Sequence, residues 1–162
     1  MSFDPENLAT AELFKAYRQI LRELTRRGTI RTMNAPAGDY AEYLVATLTK
    51  GDLADNSEKS WDIRTPDGER LQVKCRVIHA GLRGPQQLSP FRSWDFDRAV
   101  IVLFDDEYSI DRCVAVPAAV VKELATYRPH VNGHVVRVSD ALVSNPKAED
   151  LTDQLRRVAA EA

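Results

Sequence analysis

Cysteine is scarce in this chain: Cys75 and Cys113 are its only two, too few for a disulfide scaffold or a thiolate-bound metal. Both fall in strand-like apolar stretches and read as core residues. No apolar run approaches the roughly 20 residues that a membrane-spanning helix needs. The opening MSFDPENLATAELF has no basic segment followed by an apolar one, so no secretory signal is expected. Together these absences lead to the expectation of a reduced, cytoplasmic setting without a membrane. GxGxxG and P-loop fingerprints are missing, and no Gly-x-Ser-x-Gly elbow supports a serine hydrolase. His130 and His134 have no third partner at metal-ligand spacing. There is no internal repeat and no low-complexity segment.

What is present is an ordinary globular composition. The 162 residues are 44% apolar and 28% charged, with a net charge of −2, enough for one domain with a real core. The charge is unevenly spread. Lys15, Arg18, Arg22, Arg26, Arg27 and Arg31 face only Glu12 and Glu23 in segment 11–31. Segment 59–98 carries eight basic residues against five acids. A local basic face on a mildly acidic body is therefore open, because contact depends on local potential.

Thr10 can cap an amphipathic helix over about 10–27, with Leu13, Phe14, Tyr17, Ile20, Leu21 and Leu24 on one side and Gly28 ending it. Asp39 can cap a second helix from about Tyr40 to Lys50. KGDLADNSEKS reads as turns, then a hairpin whose second strand extends toward Ile78. HAGLRGPQQLSP reads as a long loop, of a kind uncommon in compact domains unless it is used or mobile. Strands over Arg98–Phe104 and Ile110–Val116 precede a helix from Pro117 through about Tyr127, a short strand in HVVRV and a closing helix. The order implies an α/β fold with a mixed, mostly antiparallel sheet flanked by helices.

The hairpin SWDIRTPDGERLQVKCR carries the chemistry. Pro66-Asp67-Gly68 is turn chemistry for a three-residue loop, and it sets Thr65 opposite Glu69. Counting outward pairs Arg64 with Arg70, Ile63 with Leu71 and Asp62 with Gln72. Opposed residues share a face with Cβ atoms roughly 5 Å apart, and Lys74, two residues on, joins them. Ile63, Leu71, Val73 and Cys75 form the apolar face that fixes this register. A carboxylate, an amide oxygen and the Val73 carbonyl suit a hard cation such as Mg²⁺ or Mn²⁺. Lys74 could then offset charge developing on a phosphodiester. From the hairpin alone a solvated ion-pair ladder remains the alternative. Arg76 continues the Lys74 face as a phosphate contact, Ser57 and Lys59 can meet a backbone phosphate, and Trp94, set among arginines, can stack on a base.

Asp62, followed further on by Gln72-Val73-Lys74, resembles the PD-(D/E)xK, or restriction-endonuclease-like, nuclease superfamily. The resemblance covers 38–76 and, more loosely, the chain to about 127. It implies a restriction-endonuclease-like core within one nuclease-like domain over 1–162, with the C-terminal strand and helix at about 134–160 outside that core. It also implies a metal-supporting glutamate on the preceding helix, which places Glu42 beside Asp62, Gln72 and Lys74 as a catalytic residue. The implied activity is that of a Mg²⁺- or Mn²⁺-dependent DNA endonuclease, and paired cuts would favour a homodimer. Most members resembling this pattern carry Glu where this chain has Gln72. The amide keeps an oxygen ligand but removes a full charge, which weakens the hold on a cation. The alternative is therefore a catalytically weak or inactive nuclease-fold module that binds nucleic acid or a partner protein.

Overall fold

A computed structural model of the protein describes residues 3–32, 35–55, 57, 60–79 and 86–162, with only the backbone of Ala11 and Phe14. The chain runs through α1 (Thr10–Arg26), α2 (Ala37–Thr49), β1 (Asp52–Leu53), β2 (Ile63–Arg64), β3 (Arg70–Val77), β4 (Arg98–Phe104) and β5 (Ile110–Pro117). After these come α3 (Ala118–Leu124), β6 (Thr126–Arg128), β7 (Gly133–Val135), α4 (Asp140–Val143), β8 (Glu149–Asp150) and α5 (Thr152–Glu161). Six strands form one mixed sheet in the order β1-β2-β3-β4-β5-β8, and β6 and β7 make a separate ribbon. Among the described strands only β3 and β4 pair in parallel. A parallel pair needs a long crossover, and residues 78–97 supply it.

β4, with the sequence RAVIVLF, is buried from Ala99 to Phe104 because both sheet faces are covered. On one face Leu44 and Val45 of α2 and Leu155 of α5 pack on Ile63, Leu71, Val73, Val100, Val102 and Cys113. On the other, Val121, Val136, Leu142, Leu88, Phe91 and Phe96 cover Ile101, Leu103 and Val114. The apolar stripe of the hairpin thus faces α2, while Gln72 and Lys74 face Pro90, Arg92 and Ser93 and Asp62 lies toward Asp39 and Glu42.

The hairpin adopts the expected register, with Ile63 opposite Leu71 and Arg64 opposite Arg70. The Thr65 N–H donates to Glu69 O at 2.9 Å, and Gly68 turns the chain at φ 87°, where a side chain would be strained. Gly51 fixes how closely the hairpin meets α2. A Cβ there would lie 2.5 Å from Ile63 Cγ2 and 2.9 Å from Arg64 O. Gly51→Ala is accordingly expected to cost about 2 kcal/mol, read as a lower urea midpoint. An unchanged midpoint would mean that β1 and β2 can shift freely.

Several local expectations need correction. α1 begins at Thr10 with Ala9 as its cap residue, and the Ala9 N–H donates to the Glu12 carboxylate at 2.9 Å. Of its described side chains only Leu21 is buried, while Leu13, Tyr17 and Ile20 are 37%, 45% and 49% exposed. An apolar stripe demands cover but does not say what provides it. α2 begins earlier than expected, after Pro36. Asp39 does not cap it; its carboxylate accepts the N–H groups of Arg31 and Thr32 and ties the preceding loop down. α3 stops at Leu124, because Ala125 is extended and Thr126–Arg128 pairs with β7. The strand expected in HVVRV joins that ribbon rather than the central sheet. The two-residue edge strands β1 and β8 lay in stretches without strand periodicity.

Candidate active site

The shortness of β2 places Asp62. Asp62 still donates its backbone N–H to Leu71 O at 2.8 Å and accepts from Ala54 N at 2.8 Å, but the Val73 N–H of β3 is left for a side chain. The Asp62 carboxylate takes that place: its Oδ2 accepts from Val73 N at 2.7 Å and from Gln72 Nε2 at 2.8 Å. Among the described residues its Oδ1 accepts no hydrogen bond. The expected Asp62–Gln72 meeting therefore occurs, but the amide presents its NH₂ to Asp62 and its oxygen elsewhere. The Val73 carbonyl lies on the same strand edge as its N–H, as extended geometry requires.

Glu42 reaches the same place from α2. Its Oε2 is 2.9 Å from Arg31 Nη2, and Arg31 Nη1 also donates to Ala54 O at 2.9 Å. Arg31, Asp39, Glu42, Ala54, Asp55 and Asp62, with Trp61, line a cavity of about 160 Å³. Burial pushes the Asp62 carboxyl above its usual range, against the pull of the Val73 N–H and Lys74. Burial also raises Glu42, and the neighbouring Asp62 charge adds to the rise while Arg31 opposes it. Each of the two carboxylates keeps one oxygen without a hydrogen bond from a described residue, and burial disfavours the ionised form of both.

Lys74 lies on the other side of the Asp62–Gln72 pair. Its Nζ donates to Pro90 O at 3.0 Å and sits 4.8 Å from the Phe91 ring centre. Burial lowers its pKa, Asp62 opposes this, and the like charge of Arg92 adds to the lowering. Gln72, Lys74, Pro90, Arg92 and Ser93 line a second cavity, of about 540 Å³. Asp62 lines the acid-lined hollow and Gln72 the cation-lined one, and the hydrogen bond between these two side chains links the two linings.

The other expected contact residues are distributed differently. Arg76 shares the Lys74 face, is exposed, and donates to Gln86 Oε1 and Gln87 O at 3.2 and 3.1 Å. Ser57 is exposed, and Lys59 lies outside the described residues. Trp94 stacks on Phe91 at 5.5 Å and meets His134 edge-on at 5.2 Å, so it braces the loop that receives Lys74. Arg70 and Arg98 are committed to Asp95 and Asp97, and to Glu69 and Glu149. His79 pairs with Asp106. Cys75 and Cys113 are free thiols whose pKa values burial pushes up to about 11 and about 12, which leaves them unreactive at neutral pH.

Arg31 and Arg92 are the site residues that sequence reasoning did not place there. Arg31 was legible only as one member of a basic run, and Arg92 only as a neighbour of Trp94. Among the described residues, no group of three or more His, Cys, Asp or Glu side chains is arranged to hold a metal ion. Comparison of the chain with protein-family models and with curated proteins gives no match. No described helix is long and apolar enough to cross a membrane.

Proposed function

We propose that this protein is a divalent-cation-dependent phosphodiesterase acting on DNA, an endonuclease of the PD-(D/E)xK type in its Gln-x-Lys form. The observation that carries this reading is the pairing of an acid-lined with a cation-lined cavity across one hydrogen bond, Gln72 Nε2 to Asp62 Oδ2. Phosphodiester cleavage needs that combination: oxygen ligands for a cation on one side, and fixed positive charge for the phosphoryl oxygens on the other. Mg²⁺ or Mn²⁺ fits the donor set. Asp62 Oδ1 and Glu42 would hold it, the Val73 carbonyl and the Gln72 amide oxygen (after a half-turn of the amide) could add neutral ligands, and water would complete the shell. When bound, the cation would polarise the phosphate and lower the pKa of its water. Lys74 orients that water or offsets charge on the phosphoryl oxygens, and Glu42 supports the site from α2. Free, unreactive thiols accord with a reducing cytoplasmic location, and paired cuts would favour a homodimer.

The test is calorimetry with Mn²⁺ together with nicking of supercoiled DNA. Site-specific heat and nicking that EDTA removes are expected; neither heat nor nicking would sink the reading. One pair of contacts favours a second reading, that of a non-catalytic module binding nucleic acid or a protein. Gln72 offers Asp62 its NH₂, and Arg31 already neutralises Glu42. Gln72→Glu separates the two. Under the enzyme reading it tightens an existing metal heat by up to about tenfold, as one added charge does at close range. Under the module reading it creates a heat where the unaltered chain has none.

A further inference from the structure

Beside Lys74, the cation-lined cavity holds two donors that the proposed cleavage does not use, Arg92 and Ser93. Lys74 is a half-buried ammonium with three donors, and among the described residues only one of them has a protein acceptor, Pro90 O. Arg92 lines the same hollow, exposed, and its one hydrogen bond to a described residue is a 3.4 Å contact from Nη2 to Val131 O. Among the described residues no acid lines the cavity. Ser93 Oγ accepts the Asp95 N–H at 3.0 Å, which leaves its own proton to donate. Arg92 and Lys74 repel each other while Asp62 offsets part of the Lys74 charge, and an anion in the hollow would pair with both cations.

The segment that carries these groups is held rigidly. Phe91 exchanges both backbone hydrogen bonds with His134, at 2.8 Å each. Gly133 passes so close that a Cβ there would lie 2.8 Å from Pro90 Cβ. Phe91 also stacks on Trp94 and on Phe96, at 5.5 and 5.7 Å. The backbone beneath Arg92 is thus fixed, and the planar fork of its guanidinium matches a pair of phosphate oxygens.

We infer that the hollow formed by Gln72, Lys74, Arg92 and Ser93 binds a phosphate of the nucleic-acid backbone, with Arg92 as its principal clamp. The inference rests on the reading of nucleic acid as the partner, and it requires neither a metal nor cleavage. Arg92 bonds two phosphate oxygens, the Ser93 hydroxyl donates to one, and Lys74 supplies charge from behind. The base is left outside, so this contact positions the strand without selecting a sequence.

The experiment is fluorescence anisotropy with a labelled DNA duplex in EDTA across a salt series, comparing the unaltered protein, Arg92→Gln, Arg92→Lys and Arg157→Gln. Arg157 is exposed on α5, which packs on α2 and β5, so its variant removes the same net charge elsewhere. The expected result is roughly a fivefold or greater loss of affinity for Arg92→Gln at low salt, with a log–log salt slope shallower by about one contact. Arg92→Lys should recover the slope and only part of the affinity, and Arg157→Gln should match the unaltered protein. An unchanged slope for Arg92→Gln, an equal loss for Arg157→Gln, or no duplex binding even at low salt would overturn the inference. So would Arg92-dependent calorimetric binding of inorganic phosphate with duplex affinity unaffected, since the hollow would then serve a free anion. Because EDTA is present, Arg92-dependent binding by a protein that never cleaves keeps this inference and removes the nuclease reading. Cleavage with Arg92-independent binding does the reverse.

Discussion

Replacing Lys74 by alanine is expected to reduce metal-dependent nicking by at least about 10²-fold, the usual effect of removing a preorganised charge from a transition state. No other described cation is placed to substitute for it. Arg31 is engaged with Glu42 and Ala54 and lines the other cavity, and Arg92, which lines the Lys74 hollow, is exposed. Alanine also leaves Pro90 O without its donor and Phe91 without its cation, so a loss of activity could be confused with a loss of structure. Lys74→Met narrows that ambiguity by keeping the aliphatic volume, although it too leaves Pro90 O without a donor and takes a nearby cation from Asp62. Both variants should lose nicking at temperatures where circular dichroism shows each of them folded. Full nicking by Lys74→Met would refute the role assigned to this side chain.

Asp62→Asn is expected to stabilise the metal-free protein at neutral pH while removing its metal heat. Asp62 and Glu42 both have folded-state pKa values raised above those of the unfolded chain. A raised carboxyl pKa contributes stability that is fully present below the ordinary carboxylate range, near 4, and is lost as pH rises through the folded value. At pH 7 the ionised, partly buried Asp62 is therefore a burden on the fold. Asparagine keeps an oxygen for Val73 N and Gln72 Nε2 and carries no charge. The gain should be on the order of 1 kcal/mol, or a few degrees in melting temperature. Melts in EDTA from pH 4 to pH 8 should show the two proteins converging at the acid end and separating as pH rises. An asparagine variant that melts lower at pH 7 would mean that the carboxylate is a structural cap and not a functional burden. An active site that costs stability is the expected pattern, since groups held ready for a ligand are poorly satisfied without it.

Lys74 and Asp62 are residues that the sequence could bring together, because the hairpin is a local object. The turn at Pro66-Asp67-Gly68 and the alternation of Ile63, Leu71 and Val73 determine the register within a span of a few residues. Even so, the hydrogen-bond direction between Asp62 and Gln72 was not legible. It is set by where β2 ends, which leaves the Val73 N–H to draw the carboxylate into the plane of the sheet. Glu42 came into view only through the family resemblance, and its partner Arg31 not at all. Arg31 arrives from the loop between α1 and α2, which is held in place by Asp39, a residue whose local pattern fits a helix cap equally well.

By itself, then, the sequence determined the short-range features: an α/β element order, the hairpin register, the acid, amide and ammonium on one strand pair, and the placing of Cys113 in the core and of Cys75 against it. Each depends on side-chain periodicity or turn chemistry acting across neighbouring residues. Tertiary structure alone decided that β3 lies parallel to β4, that Arg31 neutralises Glu42, that Trp94 braces a loop, and that Arg92 joins Lys74 around a hollow whose described lining holds no acid. Those outcomes depend on which distant surfaces share a core, and a one-dimensional pattern states that an apolar face must be covered without stating by what.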